Sequence, residues 1–383
     1  MSSPEKAFQE LARIFHTRNN RVLEIEILLP PLGPLLHDDC SVGITKKYLV
    51  QAFVAARRIF FEKTRSKSEC GTSRATAQDE NESAARECWG KSLEELLVST
   101  EIILLFDCEH LTACNWRRRR LVALKRHHGL LPDNTEPFIQ ALVAELSLMT
   151  TYLCSPLHRH TKSPTLWQHR LWVLNQLLQI RGTQSLSTHR VNQRTHSEQG
   201  HLEQESAVNL LRTELAIVLR AGELHPRNYY AFSYIRQVHN ALTDAMEEIS
   251  EGTSVLTESI LDLMLHWSLA HPSDISGWMF MFYLLESVPQ GDFRLNTVTK
   301  VVRYALDVGW EGESLWIFLD LSIKTFGFEE IVSDTMQRTP RITFTTTVEL
   351  ADGTARAIAM PERCWKTWLA MARAYWTDHN KVM

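Results

Sequence analysis

The sequence predicts an all-α chain, built as a right-handed α-α superhelix of antiparallel helix pairs like those of tetratricopeptide repeats, and ending in a small β-hairpin and a helix. Three observations support this fold class. Apolar residues recur at the three-four spacing of helices over most of the chain. A polar turn followed by an aromatic residue opens one helix after another. Alternation typical of strands is confined to the C-terminal part.

The composition is that of a soluble globular protein with ample core. The chain has 383 residues, of which 44% are hydrophobic and 22% charged, and a formal net charge of -4. No apolar run approaches the ~20 residues of a membrane-spanning helix, and the first residues do not resemble a signal sequence. The seven cysteines contain no Cys-x-x-Cys pair, so reduced core thiols are expected. We therefore predict a cytoplasmic protein with no membrane span.

Residues 1–63 are predicted to form an N-terminal helical segment. A helical pattern runs from residue 5 to 29 and ends at Pro30 and Pro31, and a second helix is predicted from about Ile44 to Glu62. Residues 64–90 contain almost no large apolar side chain. A composition of this kind cannot supply a core, so a disordered insertion is predicted there.

Residues 91–330 carry a recurring aromatic residue near the start of successive helices. In the clearest copy, Ser163 and Pro164 open a helix that contains Trp167 and Arg170. An indole and a guanidinium three residues apart share one helix face, where they can pack between helices and brace a neighbouring helix. The aligned aromatic residues are Trp116, Trp167, Phe232, Trp278 and Trp316. The arginine follows as Arg119 and Arg170, whereas Ile235, Met281 and Leu319 take its place later.

Two further segments interrupt or end the repeats. Residues 182–204 are rich in Ser, Thr, His and Gln and are predicted to form a polar insertion. Residues 331–383 are predicted to form a hairpin plus helix, because alternating segments from Ile342 and from Ala355 flank Asp352-Gly353. A lone hairpin is marginally stable, so we expect it to dock on the repeats or on a partner.

The repeated segments resemble the protein prenyltransferase alpha subunit repeat family, over roughly residues 93–325. The resemblance rests on Ser-Pro-x-Leu-Trp-x-His-Arg-Leu-Trp-Val-Leu at 163–174 and on Asn228-Tyr229-x-Ala-Phe232 followed by Arg236. Loss of the arginine from the later copies is similar to a divergent branch of the family, the repeat-containing alpha subunit of type III geranylgeranyltransferase. The resemblance implies a scaffold that wraps a separate beta subunit.

The resemblance also implies a candidate site at His225–Tyr230. In the family, the residue before Asn-Tyr in one repeat is a lysine that reaches the isoprenyl diphosphate, and Arg227 stands at that place here. A guanidinium there would stabilise the departing diphosphate, and Tyr229 and Tyr230 could donate further hydrogen bonds. The alternative is that Arg227 is an exposed turn residue and the two tyrosines are packing residues.

The implied reaction is transfer of a farnesyl or geranylgeranyl group from its diphosphate to a cysteine near a protein substrate's C-terminus. The chain would not act alone and would bind no cofactor itself. Zinc is expected in the partner beta subunit, and magnesium could assist the diphosphate. The alternative function is a non-catalytic helical-repeat adaptor that kept the scaffold and lost the enzyme role.

Two other patterns invite different functions. Arg117–Arg120, followed by Lys125 and Arg126, invites nucleic-acid binding, but no stacking aromatics interleave the cations, so pairing with acidic surface or solvation is preferred. The sixteen histidines, among them His158 and His160, form no helical His-x-x-x-His pair with a carboxylate. We therefore predict no metal site and no nucleic-acid partner.

Overall fold

The computed structural model confirms the predicted all-α helical repeat. The structure describes residues 3–70, 82–128, 135–157, 159–189, 196–246, 252–310, 312–332, 345–349 and 355–359. Its helices are α1 (Pro4–Thr17), α2 (Lys46–Cys70), α3 (Glu82–Phe106), α4 (Leu111–His128), α5 (Glu136–Leu153), α6 (Pro164–His189), α7 (His196–Leu224), α8 (Tyr229–Ala245), α9 (Gly252–Ala270), α10 (Ile275–Ser287), α11 (Gly291–Val308) and α12 (Glu313–Phe326).

The chain divides into two compact units. The first comprises residues 1–197 and 216–241, and the second comprises 198–215 and 242–383. In the first unit, α4, α5 and α6 enclose a core cluster that includes Leu121, Phe138 and Val173. In the second unit, the Trp278 and Phe318 rings lie 4.8 Å apart and join α10 to α12. Side chains at the three-four spacing of helices therefore form the cores, as the sequence predicted.

The N-terminal helix is shorter than predicted, and a small sheet follows it. Helix α1 ends at Thr17, where Asn19 and Asn20 have left-handed backbone angles that no helix can continue through. Strands β1 (Glu24–Leu28), β2 (Leu35–Asp38) and β3 (Ser41–Thr45) then form a sheet in the order β1-β3-β2. The β1–β3 pair is parallel and the β2–β3 pair antiparallel. The predicted helical pattern over 5–29 is therefore wrong beyond α1.

The outer edge of β1 is satisfied by hydroxyl groups of α5. The Leu23 N–H donates to Thr151 Oγ1 at 3.0 Å, and the Ile25 N–H donates to Ser155 Oγ at 2.9 Å. Thr151 and Ser155 are four residues apart and share one helix face. This face replaces a neighbouring strand, since buried backbone donors need acceptors. The strand therefore depends on a helix more than a hundred residues later in the chain.

Helical backbone enters both predicted insertions from either side. Helix α2 continues to Cys70 and α3 begins at Glu82, so only 71–81 of the predicted 64–90 insertion lies outside the described residues. Likewise, α6 continues to His189 and α7 begins at His196. The compositional argument for disorder therefore placed the boundaries of both insertions too widely.

The C-terminal hairpin is present as an antiparallel pair. Strands β4 (Thr345–Glu349) and β5 (Ala355–Ala359) pair with Thr345 opposite Ala359 and Glu349 opposite Ala355. The predicted Asp352-Gly353 turn and the predicted last helix over 361–383 lie outside the described residues.

Candidate functional site

The repeated helices share a layout that can be counted from their first residue. In α6, α8 and α10, the residue just before the helix caps it by accepting the N–H of the third helical residue. The three caps are Ser163 Oγ, Asn228 Oδ1 and Asp274 Oδ1, at 3.1, 3.3 and 3.1 Å. Such caps satisfy backbone donors that the first helical turn leaves unpaired. The cap thus fixes where each repeated helix begins, and hence which side chains face its neighbours.

The fourth residue of α6, α8, α10 and α12 is the predicted aromatic. Trp167, Trp278 and Trp316 are buried, and each indole N–H donates to the carbonyl six residues earlier. The acceptors are the carbonyls of Thr161, Pro272 and Trp310, at 2.8, 3.0 and 2.8 Å. The same bond in three copies shows one repeated local structure, in which the indole fills the core and also holds the preceding turn.

Phe232 stands at the same fourth position in α8 but has no N–H to donate. It is buried, and the carbonyl six residues before it, that of Pro226, accepts instead from Lys162 Nζ at 2.9 Å. Asn228 Nδ2 in turn donates to the Thr161 carbonyl at 2.6 Å. The turns before α6 and α8 are therefore held together by side chains that each turn contributes to the other.

The register of the first copy differs from the prediction. The fourth residue of α4 is Cys114, which is 2% exposed, whereas Trp116 lies two positions later and is half-buried. Trp116 packs instead edge-to-face on Phe60 of α2, with ring centroids 6.2 Å apart. The Cys108 carbonyl, six residues before Cys114, accepts from Ser163 Oγ at 3.1 Å. Cys114 has no indole N–H to donate, so the Cys108 carbonyl is bonded instead by Ser163, a residue of the next repeat.

The bracing arginine of α4 is Arg117 and not Arg119. Arg117 is the seventh helical residue and is 3% exposed, while Arg119 is exposed. Its Nη1 donates to the Leu97 carbonyl at 3.2 Å and to Thr100 Oγ1 at 2.8 Å, both on α3. The predicted aromatic, Trp116, lies two residues after the fourth position of α4. The arginine predicted three residues after it, Arg119, therefore lies two residues after Arg117. The error also means that the buried member of the Arg117–Arg120 run was missed.

Arg170 occupies the seventh position of α6 and makes the matching contacts. Its Nη1 donates to the Leu146 carbonyl and to Thr150 Oγ1 of α5, both at 2.9 Å. In both helices the guanidinium therefore binds a carbonyl and a threonine hydroxyl of the preceding helix. In α8, α10 and α12 the seventh residues are Ile235, Met281 and Leu319, and all three are fully buried. Arg236 is the eighth residue of α8 and is half-buried.

Arg117 also connects two helix pairs through a buried carboxylate. Its Nε and Nη2 donate to the two oxygens of Glu145 on α5, each at 2.7 Å. Burial alone would raise the pKa of Glu145, but the charge of Arg117 and the hydrogen bonds from His169 and Arg117 hold that pKa far below its usual range. The Arg117–Glu145 pair is therefore a clamp that is charged at neutral pH, with the bidentate geometry of the strongest ion pairs.

His169 completes this network; burial lowers the pKa of its imidazole, but hydrogen bonds with Cys114 and Glu145 raise that pKa above its ordinary value overall. Its Nε2 lies 2.7 Å from Glu145 Oε1, while Arg118 Nε donates to its Nδ1 at 3.1 Å. In the neutral form, in which Nδ1 accepts from Arg118, the proton lies on Nε2 and is donated to Glu145. The Arg118 guanidinium also lies 5.7 Å from the Trp172 ring. Two of the four consecutive arginines are thus used inside the fold, which argues against the run acting as a nucleic-acid surface.

The predicted diphosphate residues lie together on the surface at the start of α8. Tyr229 and Tyr230 are 67% and 43% exposed, with ring centroids 5.8 Å apart. Arg227 is exposed and has a φ of 59°, a left-handed conformation that is unfavourable for a residue with a side chain. Asn228 between them is fully buried. The cap therefore anchors a turn that presents one cation and two phenols outward.

Lys162 belongs to the same place in the preceding repeat, and sequence inspection missed it. It lies two residues before α6, as Arg227 lies two residues before α8, and both side chains are exposed. The Lys162–Pro226 hydrogen bond brings its ammonium to the residue next to Arg227. Counting five residues back from Trp167, as from Phe232 to Arg227, would have found it. Lys162 and Arg227 therefore lie in two adjacent turns, which precede α6 and α8.

The histidines and cysteines form no metal centre in the described part of the chain. Within those residues, no group of three His, Cys, Asp or Glu side chains is arranged to hold an ion. His160 is buried, and its Nε2 lies 3.0 Å from the Leu104 carbonyl. Burial lowers the pKa of His160 to about 4, so it is a neutral packing residue. The side chain of His158 lies outside the described residues.

Comparisons with known proteins agree with the repeat layout. The family model described as "Protein prenyltransferase alpha subunit repeat" matches residues 211–242, which include Asn228 and Phe232. The chain is also 27% identical, over 197 residues, to human "Protein prenyltransferase alpha subunit repeat-containing protein 1". The zebrafish protein of the same name is 24% identical over 195 residues. The resemblance inferred from the repeats is thereby confirmed.

These alignments cover only part of each protein. They span 51% of this chain, and 40% and 38% of the human and zebrafish proteins. No helix in the described ranges combines the length and apolar character needed to cross a bilayer.

Proposed function

We propose that this chain is an alpha-type subunit of a cytoplasmic heterodimeric protein prenyltransferase. It would scaffold a zinc-containing beta subunit, bind the protein substrate and present cations to the isoprenyl diphosphate. The proposal is supported by the repeat match at 211–242 and by the paired cations before α6 and α8.

The observation that carries the proposal is the placement of Lys162 beside Arg227. The ammonium of Lys162 lies 2.9 Å from the Pro226 carbonyl, and Arg227 follows Pro226 directly. Two cations in adjacent turns suit a diphosphate, whose negative charge grows as the carbon–oxygen bond breaks. Lys162 would contact it as a point charge, and Arg227 as a planar fork able to bind two oxygens. Tyr229 and Tyr230 would add phenolic donors, and magnesium could share the diphosphate.

The test is a transfer assay on the full chain co-expressed with a zinc-containing prenyltransferase beta subunit. Transfer of farnesyl or geranylgeranyl from its diphosphate to a Cys-terminated peptide is measured, together with recovery of the complex. Lys162→Ala and Arg227→Ala should each lower kcat/KM for the diphosphate about 10- to 100-fold, since each removes a charge-assisted contact in the transition state. Arg119→Ala, which removes another exposed cation, is the control and should change kcat/KM less than twofold.

The two parts of the proposal fail in different ways. A complex that forms and transfers, but is unaffected by Lys162→Ala and Arg227→Ala, would contradict the diphosphate site and leave the subunit role intact. Failure to form any complex with a beta subunit would contradict the subunit role itself.

The second candidate is a non-catalytic helical-repeat adaptor. It is favoured by the seventh position, where three of the five copies have lost arginine, and by the complete burial of the remaining Arg117 and Arg170. These arginines stabilise the scaffold and have no free donor surface for a substrate. An adaptor would bind its partner protein stably, with no transfer to any Cys-terminated peptide in the same assay.

A further inference from the structure

Helix α2 carries an exposed face that combines cations with apolar side chains. Counting 3.6 residues per turn, eight exposed residues fall within about 120° of its circumference. They are Lys46, Lys47, Val50, Val54, Arg57, Arg58, Phe61 and Arg65. No acidic residue lies among them, although the chain as a whole has more acidic than basic side chains. This set is called the α2 face below.

The cations of the α2 face are mostly not neutralised by the fold. Arg58 pairs with Glu5 of α1 at 3.1 Å. Lys46, Lys47, Arg57 and Arg65 make no ion pair with any described residue, and Arg57 instead lies 5.5 Å from the Phe61 ring. Glu62 lies at the margin of the face. A set of five cations with one internal counter-charge has a strongly positive local potential, which favours an anionic occupant.

The apolar members of the α2 face are exposed to solvent. Val50, Val54 and Phe61 are 38%, 54% and 40% exposed, and they form a single stripe between the cations. The stripe and its flanking cations run for about 30 Å along the helix. Long basic side chains beside an apolar stripe are typical of helices that lie flat in the interface of a bilayer.

We propose that the α2 face binds the surface of an anionic phospholipid membrane. Lysine and arginine side chains would contact lipid headgroups, and Val50, Val54 and Phe61 would contact the region just beneath them. A membrane is preferred to a nucleic acid because the face has an apolar centre, while its one aromatic ring is already covered by Arg57. The contact would be peripheral and reversible, because the face has few large apolar side chains.

The experiment measures co-sedimentation of the full chain with phosphatidylcholine vesicles, with and without phosphatidylserine. The wild-type chain should bind only the vesicles that contain phosphatidylserine, and added NaCl should release it. Lys47→Gln with Arg57→Gln should lower the partition coefficient about 25-fold, a factor of about five for each cation removed. Arg119→Gln with Arg126→Gln removes two exposed cations of α4 and should leave binding within twofold.

A second variant tests the apolar stripe without changing the charge. Val54→Ser with Phe61→Ser should lower the partition coefficient several-fold at constant salt, while the circular dichroism spectrum stays that of the wild type. Absence of vesicle binding, equal binding to both vesicle types, or equal losses in the α2 and α4 variants would overturn the proposal. So would binding of a nucleic acid but not of vesicles.

Discussion

The helix pairs that end in α4 and α6 and those that end in α10 and α12 fill the same repeat position with opposite chemistry. In the first set, the seventh residue of the second helix is Arg117 or Arg170, and its guanidinium donates to the helix before it. In the second set, that residue is Met281 or Leu319, and it is fully buried without a polar partner to satisfy. The capped start is found in both, since Ser163 and Asp274 hold equivalent places.

The polar and the apolar residues at this seventh position have different requirements in the core. An arginine in the core needs every donor matched, which here takes Glu145, a threonine hydroxyl and a carbonyl. An aliphatic residue needs only volume, so neighbouring positions can vary more freely. Loss of the arginine therefore need not mean loss of the repeat fold. It means that the polar partners are no longer required.

The largest expected effect is that of removing the clamp. Arg117→Met leaves Glu145 in the core with the His169 hydrogen bond but without its cationic partner, and should lower the free energy of unfolding of the first unit by about 3–5 kcal/mol. Chemical denaturation followed by circular dichroism would measure it. Met281→Leu, a swap of similar volume at the matching position of α10, should cost less than about 1.5 kcal/mol. Equal losses would contradict the distinction between the two kinds of brace.

Acid should separate the same two sets of helices. The folded-state pKa of Glu145 is below its ordinary value of 4.5, so its stabilisation is present above pH 4.5 and lost as the pH falls below that value. Glu101, whose pKa burial raises, opposes this loss. It lies 3.6 Å from Arg117. Amide hydrogen exchange should show α4 and α5 losing protection before α10 and α12, and the reverse order would contradict this.

Removing an indole donor should have a smaller effect that depends on the copy. Trp278→Phe leaves the buried Pro272 carbonyl without the indole bond and should cost about 1–3 kcal/mol. Trp167→Phe should cost less, because the Thr161 carbonyl still accepts from Asn228 at 2.6 Å. Denaturant midpoints of the two variants would make the comparison. A larger loss for Trp167→Phe would show that the Asn228 hydrogen bond does not compensate for the missing indole bond to Thr161.

The smallest expected effect is a gain in stability at Arg120. Its Nε is buried without a hydrogen-bond partner in the described chain, and burial and the nearby Arg117 charge lower its pKa. Arg120→Met keeps the aliphatic packing and removes the unbonded Nε and the charge that Arg117 repels, so it should stabilise the fold by about 1 kcal/mol. Arg119→Met on the exposed side is the control and should lie within about 0.5 kcal/mol of the wild type. A loss at Arg120 would indicate a partner for its charge.

Local signals in the sequence identified the Ser163 cap and four of the five aromatic positions. Ser163 and Trp167 belong to one short motif, and the bonds that they make lie within six residues. Arg117 could not be chosen from four consecutive arginines, because its partner Glu145 is 28 residues away and fixes the register only in three dimensions.

The N-terminal sheet was missed for a similar reason. Glu24-Ile25-Glu26-Ile27 does alternate, but four residues are too few to outweigh the helical pattern predicted around them. Strand β1 is instead stabilised by Thr151 and Ser155 of α5, whose hydroxyl oxygens accept hydrogen bonds from its outer edge. Lys162 was within reach of the sequence, since its offset from Trp167 equals that of Arg227 from Phe232.

The most direct test of the account is a double-mutant cycle on Arg117→Met and Glu145→Leu, measured by chemical denaturation. If Arg117 and Glu145 form a mutually dependent clamp, the loss of stability in the double variant should be smaller than the sum of the two single losses by at least about 2 kcal/mol. The reason is that neither charge is left without its partner in the double variant. Additive losses would contradict the clamp, and with it the division of the repeats into polar-braced and apolar-braced sets.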